Sequence, residues 1–101
     1  MAQFDIYRNP NKQSVDTFPY LLDIQNDILS SLKTRVVVPL ALDFKPIKHL
    51  QPTFEIEGQK VVMLTSEIAG IPSHLCGEVL TNISQHRNKI IDALDFLVNG
   101  F

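Results

Sequence analysis

The first part of the chain alternates between apolar and polar side chains, a period that is typical of β-strands with one face in a core. The alternation predicts a short strand over residues 3–7, where Phe4 and Ile6 share a face, and a second strand over 18–25 that pairs with it. The segment between them, 8–17, is polar and contains Asn-Pro-Asn, which indicates a turn or an extended hairpin loop. The N-terminal region is therefore predicted to be an antiparallel pair of strands.

Residues 35–42 have a different pattern, β-branched and almost continuously apolar, which predicts a third strand buried on both faces. Within it Pro39 lacks the N–H that a strand ladder needs, so it marks a bulge or a change of strand partner. The preceding segment, 26–34, fits either a helical turn or a loose hairpin end. The following segment, 43–52, contains two prolines and two lysines and indicates a loop, with room for one helical turn.

A hairpin is predicted in the second half of the chain. Two strand-like runs, 53–56 and 60–65, flank a connection that contains Gly58, and glycine in such a connection favours a tight turn. Residues 71–75 have the composition of a further strand at the edge of a sheet.

The period changes near the C-terminus, where apolar residues recur at spacings of seven, four and three. This predicts an amphipathic helix of about four turns that begins at Asn82 or Ser84. Asn82 together with Gln85, or Ser84 alone, supplies the N-cap, and Gly100 can take the positive φ of a C-terminal cap. The apolar stripe consists of Ile83, Ile90, Ile91, Leu94, Leu97 and Val98. The predicted fold class is α+β, a mainly antiparallel sheet closed by one C-terminal helix.

Composition and charge narrow the class of protein. The 101 residues suffice for a single domain over 1–101, and with 45% hydrophobic residues they are too apolar for a disordered chain. A domain of this size gains stability by burying more surface in a homodimer. The net charge of −2 offers no basic stripe for phosphates, which disfavours direct nucleic-acid binding.

The location is expected to be cytoplasmic. No apolar run approaches the roughly 18 residues that span a membrane, and the first residues lack the layout of a signal peptide. The single cysteine, Cys76, cannot form an internal disulfide, which fits a reducing compartment.

Residues that could perform chemistry are scattered. The histidines, His49, His74 and His86, do not have the spacing of a zinc site, and one cysteine cannot complete such a site. No nucleophile motif and no glycine-rich phosphate loop is present in the sequence. We therefore expect neither a metal nor a cofactor, and a protein that works by binding rather than as an enzyme.

Two pairs of residues admit a chemical interpretation, but an ordinary one is favoured. His86 and Arg87 could combine a base with a phosphate binder, yet they more simply form the solvated first turn of the helix. Asp23 and Asp27 could form a carboxylate pair, yet acids beside a turn more often cap or solvate it. Cys76 has no sequence neighbour that would activate its thiol, which favours an inert side chain.

The last residues are apolar where chain ends are usually polar and frayed. Phe101 carries both an aromatic ring and the α-carboxylate of the chain, and Ile28 lies in a predicted turn region. Both are candidate contacts for a partner, and packing in the core or in a dimer is the alternative.

Several strings in this sequence, taken in order and spacing, resemble the CcdB family, the toxins of ccd toxin–antitoxin modules. The resemblance covers residues 3–101 and is weakest in the loops 8–17 and 43–52. The strings that carry it are Met1 to Tyr7, Leu22 to Leu29, Arg35 to Leu40, Met63 to Thr65, Ile71-Pro72, and Ile83 to Ile90 with Ala93 and Gly100.

The resemblance implies a fold, partners and an activity. The fold is an SH3-like antiparallel β-sheet or partial barrel with a small accessory sheet and one C-terminal α-helix, assembled as a homodimer. The target is the A subunit of DNA gyrase, and the toxin traps the cleaved gyrase–DNA complex without being an enzyme. A cognate CcdA-like antitoxin neutralises it.

The resemblance also implies a gyrase-binding site made of two groups of residues. The first group, after the second strand, is Asn26 and Ile28, and the second, at the end of the helix, is Asp95, Leu97, Asn99, Gly100 and Phe101. Asn26 stands where a serine is typical. Asn99 stands where the best-known members have a tryptophan that stacks on an arginine of gyrase, and asparagine lacks the ring area and the cation–π attraction of that contact.

Two alternative functions follow from the same resemblance. One is a MazF/Kid-like endoribonuclease toxin, since those proteins share the fold, but the low positive charge argues against an RNA groove. The other is a gyrase-inactive relative that only binds antitoxin.

Overall fold

The structure is a computed structural model that describes residues 1–100 of the chain. It is an antiparallel sheet followed by one helix, and four single 3-10 turns lie in the connections. The elements are β1 (Asp5–Arg8), β2 (Tyr20–Asp23), β3 (Thr34–Ala41), β4 (Thr53–Ile56), β5 (Gln59–Met63), β6 (Ala69–Pro72), β7 (Val79–Asn82) and α1 (Arg87–Asn99).

The strands form one curled sheet, a half-barrel, in the order β4-β5-β3-β2-β1-β7, with β6 paired to β3 off this path. Every pairing is antiparallel, including the predicted one between β1 and β2. Within the sheet, the β4–β5 hairpin pairs with the last residues of β3, where Leu40 faces Met63 and Ala41 faces Val62. This confirms the predicted α+β, SH3-like fold.

The third strand is the centre of the sheet, and Pro39 marks the predicted change of partner. One edge of β3 pairs with β2 from Val37 to Leu40. On its other edge β3 pairs with β6 up to Val37 and with β5 from Leu40 onward. The residue without a backbone donor therefore lies where one neighbouring strand ends and the next begins, which is where a missing N–H costs least.

The β4–β5 connection is a two-residue turn. Glu57 and Gly58 have φ of 52° and 77°, and a type I′ hairpin turn requires positive φ at both central positions. β4 has the predicted bounds, and β5 begins one residue earlier than predicted because the turn is one residue shorter.

The first strand begins later than the alternation predicted. Phe4 has φ of 71°, which interrupts the extended backbone but directs the ring into the core. Both faces of β1 are covered, so Asp5 and Tyr7 are buried as well as Ile6, and the expectation of a strand with only one face in the core is wrong for β1.

One strand was not predicted at all. β7 pairs with β1 at the edge of the sheet, with a bulge opposite Ile6 and Tyr7. Its side chains are exposed or half-buried, so its sequence lacks the alternation of apolar and polar residues that indicates a strand with a buried face. The predicted edge strand over 71–75 is β6, shifted to Ala69–Pro72 and followed by a 3-10 turn over Ser73–Leu75.

The helix begins at Arg87, later than predicted, because Ser84–His86 forms a 3-10 turn first. The side chain of Asn82 accepts a hydrogen bond from the Ser84 N–H at 2.9 Å, so Asn82 caps the 3-10 turn. The predicted caps of the α-helix, Asn82 together with Gln85 or Ser84 alone, are not formed. His86 occupies the N-cap position without a side-chain hydrogen bond.

The core lies between α1 and the curled sheet. Ile90 and Ala93 of the helix are buried against the sheet together with Ile83, while Leu97 and Val98 remain exposed. The predicted apolar stripe is thus buried only over its first part, and the last turn of α1 extends beyond the core. The sheet residues of this core are Phe4, Ile6, Tyr20, Leu22, Val38, Leu40, Phe54, Ile56, Val61 and Met63.

Candidate functional site

The turn after β2 exposes an apolar side chain to solvent. Residues Asp27–Leu29 form a 3-10 turn, and the Asn26 side chain caps it by accepting a hydrogen bond from the Ile28 N–H at 2.9 Å. Ile28 is 85% exposed. Of the two interpretations of 26–34, the structure shows the helical turn.

Two glutamines fix this turn to the sheet. Gln25 is buried, and its amide donates to the Leu29 carbonyl at 2.9 Å while its carbonyl oxygen accepts from the Val36 N–H at 3.0 Å. The Gln3 backbone N–H donates to the Asp27 carboxylate at 2.8 Å. Because one end of the turn is tied to β3 and the other to the segment before β1, the exposed position of Ile28 is held by the fold.

The end of α1 presents the second predicted group. Gly100 has φ of 78° and its N–H donates to the Phe96 carbonyl at 2.8 Å, which confirms the predicted left-handed C-terminal cap. Leu97 is 38% exposed, and Asp95 and Asn99 are exposed as well. Phe101, the remaining residue of the predicted site, lies outside the described residues.

A cleft of about 630 Å³ runs along this end of the helix. The helix contributes Lys89, Asp92, Asp95, Phe96 and Gly100, and the loop before β4 contributes His49, Gln51 and Pro52. The imidazole of His49 packs against the Phe96 ring with the ring centroids 5.8 Å apart. His49 takes φ of 69°, so the loop backbone turns sharply at this contact.

The charges in the cleft are mostly negative. Lys89 lies over the Phe54 ring at 4.7 Å from its centroid and donates to the Thr53 carbonyl. Within residues 1–100, neither Asp92 nor Asp95 has a cationic partner at ion-pair distance. The cleft therefore combines two available carboxylates with an aromatic ring, a set that attracts a cation.

One protomer does not bring the two predicted groups together. The side chain of Arg87, the first residue of α1, donates to the Gln3 side chain at 3.2 Å, and Gln3 in turn holds the turn at Asp27. Asn99 lies at the opposite end of α1, about 18 Å along its axis. In the described part of the chain, no hydrogen bond, ion pair or ring contact joins Asn26 or Ile28 to the helix end.

Neither residue pair considered for chemistry forms a reactive pair, and Asp23 does not take the solvated role expected for it either. Asp23 is buried in an ion pair with Arg35 at 2.7 Å, whereas Asp27 is exposed, so they do not form a carboxylate pair. His86 packs on Phe54 and Arg87 lies over the ring of Phe4, both with exposed side chains.

Cys76 is half-buried, and desolvation raises the pKa of its thiol, which lowers its reactivity. Residues 1–100 contain no group of three or more His, Cys, Asp or Glu side chains placed to hold a metal. Over the same residues, no helix has the length and apolar character to cross a membrane.

The sequence did not single out Gln25, nor the cleft residues other than Asp95 and Gly100. Lys89, Asp92 and Phe96 are spaced by three and four, so helical periodicity would have placed them on one face. His49 and Gln25 had no such signal, since their roles depend on a loop and on strands that are distant in sequence.

A comparison with protein families gives one finding for this chain. A family model described as CcdB protein matches residues 3–100 of the 101. The match includes both groups of predicted contacts except Phe101.

Proposed function

Because this chain belongs to the CcdB family, the toxins of toxin–antitoxin systems, we propose that it binds the A subunit of DNA gyrase and traps the cleaved gyrase–DNA complex. It acts in the cytoplasm by binding and not as an enzyme. A cognate CcdA-like antitoxin neutralises it.

The observation that carries the proposal is the exposure of Ile28 on a fixed turn. A large aliphatic side chain that is 85% exposed does not stabilise the fold of a single chain. Its burial in an interface is worth about 1.5–3 kcal/mol. Because Gln25 and Gln3 already hold the turn, little conformational entropy is lost when a partner covers it.

The helix end supports the same proposal. α1 ends in the left-handed cap at Gly100, a residue that the resemblance assigns to the contact, and Leu97 is exposed in the same last turn. Asp95 lines the cleft next to this cap and supplies a negative charge for a basic residue of the target.

A homodimer accounts for the separation of the two groups. The turn at Ile28 and the end of α1 lie at different ends of the helix in one protomer, so a contiguous surface needs two copies. Exposed apolar side chains in both regions, including Leu29 and Val98, favour association. We propose that a two-fold symmetric pair forms the complete gyrase-binding surface.

Asn99 favours a second candidate function, a gyrase-inactive relative that only binds antitoxin. An asparagine in place of tryptophan loses a ring contact and a cation–π contact, each worth on the order of 1 kcal/mol. The two candidates differ in whether gyrase is bound at all.

A pull-down with the breakage–reunion domain of the gyrase A subunit distinguishes them. We expect the full chain to retain this domain and its overexpression to arrest growth with DNA damage. Deletion of residues 99–101 should abolish both effects with the fold intact, because Asn99 and Gly100 are exposed and lie outside the core. Asn99→Trp should strengthen retention by restoring the missing ring.

Ile28→Asp provides a sharper test with a matched control. We expect binding to gyrase to weaken by about 10- to 100-fold, the equivalent of losing the burial of one isoleucine. Ile47→Asp makes the same chemical change at a 55% exposed isoleucine in the loop before β4 and should leave binding unchanged. Equal binding by wild type and Ile28→Asp would contradict the proposed site, and no binding by wild type would favour the antitoxin-only relative.

A further inference from the structure

A buried donor of Arg35 has no partner among the described residues. The side chain is only 1% exposed, and its Nε donates to the Asp23 carboxylate at 2.7 Å. Its Nη2 is buried and makes no hydrogen bond. Because a buried charged donor without an acceptor is strongly unfavourable, this atom indicates a binding position for an acceptor.

Ser73 provides a second buried group of the same kind. Its Oγ is buried without a hydrogen-bond partner, while its backbone N–H donates to the Lys33 carbonyl at 2.7 Å. That backbone bond fixes the start of the 3-10 turn Ser73–Leu75 against the residue that precedes β3. The hydroxyl is therefore held in place and free to donate.

Both side chains line one cleft of about 600 Å³, which we call the Arg35 cleft. Lys33 and His74 lie in its wall, together with Ser30 and Leu32. Among residues 1–100, no carboxylate lines this cleft. Asp23 lies behind Arg35 and is neutralised by it, so Lys33 leaves the cleft with a net positive charge.

We propose that the Arg35 cleft binds an oxyanion group, phosphate or carboxylate, carried by a small molecule. Arg35 Nη2 and Ser73 Oγ donate to its oxygens, and Lys33 supplies a second positive charge. A guanidinium held by a carboxylate on one side presents its remaining N–H groups in a fixed plane, which suits the oxygens of these groups.

The volume of the cleft fits a small molecule better than a bare ion. A cleft of about 600 Å³ lies in the range of ligand pockets, which are roughly 300–1,000 Å³. Leu32 and the stem of Lys33 offer an apolar wall for the rest of the molecule. The cleft shares no residue with the proposed gyrase contacts, so this inference is independent of that proposal.

Titration of the full chain by ¹H–¹⁵N NMR tests the site. Inorganic phosphate and acetate are added in separate experiments at constant ionic strength, with chloride as the reference. We expect saturable shifts of the Arg35 Nε–H and of the Ser73 and His74 amides with at least one of the two anions. Binding of phosphate alone or acetate alone identifies which oxyanion the cleft takes.

Two variants and two controls complete the test. Ser73→Ala and Lys33→Ala should each weaken binding by about tenfold, the loss of one hydrogen bond or one close charge. Ser66→Ala, in another 3-10 turn, and Lys60→Ala, at an exposed lysine in β5, should not change it. The proposal would be overturned by chemical shifts that rise linearly with anion concentration, that chloride reproduces, or that persist unchanged in both cleft variants. If a variant is unstable, the titration of the Arg35 signal in the wild-type protein still decides between binding and no binding.

Discussion

Asp23 shows how one buried residue organises several parts of this fold. Its carboxylate accepts hydrogen bonds from the Tyr7 hydroxyl, from Arg35 Nε and from the Gln25 backbone N–H. Three donors compensate the loss of water around the charge, which is the condition under which a buried carboxylate is tolerated. β1, β2 and β3 are thereby joined through a single side chain.

The same cluster changes the titration of its members. Burial, and then the hydrogen bond and negative charge of Asp23, raise the pKa of Tyr7 far above its ordinary value. The hydrogen bond to Asp23 raises the pKa of Arg35 as well, which keeps the guanidinium charged. Tyr7 is therefore neutral and Arg35 positive in the folded protein across the range in which proteins are handled.

Tyr7→Phe should reveal this shift as a difference in alkaline stability. Below pH 10 the tyrosine is protonated in both states, and its hydrogen bond makes the wild type more stable than the variant. Above pH 10 the unfolded tyrosine loses its proton and the folded one keeps it, so the free energy of unfolding falls. We expect the advantage of the wild type to shrink by about 1 kcal/mol between pH 10 and pH 11.

Urea unfolding of both proteins at pH 8, 10 and 11 measures the effect. Tyr20 and Cys76 also have raised pKa values, but they are present in both proteins, so their contributions cancel in the difference. A constant difference across this range would contradict the assigned environment of Tyr7.

At the scale of elements, the sequence predicted those that have one apolar face or are apolar throughout. β2, β3, β4 and β5 were found, and Pro39 even located the change of partner. β7 was missed because it is an exposed edge strand, and the start of α1 was misplaced because a 3-10 turn has the same local polarity as a first helical turn.

The local structure around the candidate contact residues could be predicted only in part. The Gly100 cap followed from local chemistry, since glycine after an amphipathic stretch favours a left-handed residue. The exposure of Ile28 did not, because an isoleucine in a turn could equally have been buried. The roles of Gln25 and His49 depend on contacts between segments far apart in sequence, which no local pattern encodes.

A substitution at Gly77 tests the placement of β7, the strand that the sequence did not predict. Gly77 precedes β7, and a Cβ at this position would lie 2.2 Å from the Arg8 carbonyl oxygen at the end of β1. Because the contact is with backbone, it cannot be relieved by moving a side chain. We expect Gly77→Ala to lower the free energy of unfolding by about 1–3 kcal/mol, measured by urea denaturation.

Gly70→Ala is the matched control for that measurement. Gly70 lies in β6, where an added Cβ would meet nothing within 4 Å and the φ is not positive. The same substitution should there be neutral or stabilising by up to about 1 kcal/mol. Equal destabilisation by the two substitutions would show that the close approach of β7 to Arg8 is not as described.

At the scale of the whole molecule, the proposed homodimer places both groups of proposed gyrase contacts on one surface, which a single copy of the chain does not do. The turn at Ile28 is linked through Gln3 to the start of α1, whereas Asn99 and Gly100 lie at its other end, about 18 Å away along the helix axis. Two-fold pairing solves this without any change of fold, because each copy contributes both groups.

Sedimentation velocity tests the dimer directly. We expect a species of twice the 11.4 kDa mass of the chain at micromolar concentration. Val98→Asp, at a position 79% exposed in the protomer, should shift the population toward the monomer without loss of helix content. Ile47→Asp serves as the control at an exposed isoleucine outside α1. A wild-type protein that is monomeric at all concentrations would contradict the proposal.

The pairing of β1 with β7 has a consequence for how the protein is made. The first strand to leave the ribosome finds one of its two neighbours only when residues 79–82 appear, several seconds later at about 5–20 residues per second. α1, which covers the core, follows later still. A nascent chain that stops before residue 79 therefore lacks one neighbour of β1, and one that stops before residue 99 lacks the end of α1 and with it the second group of proposed gyrase contacts.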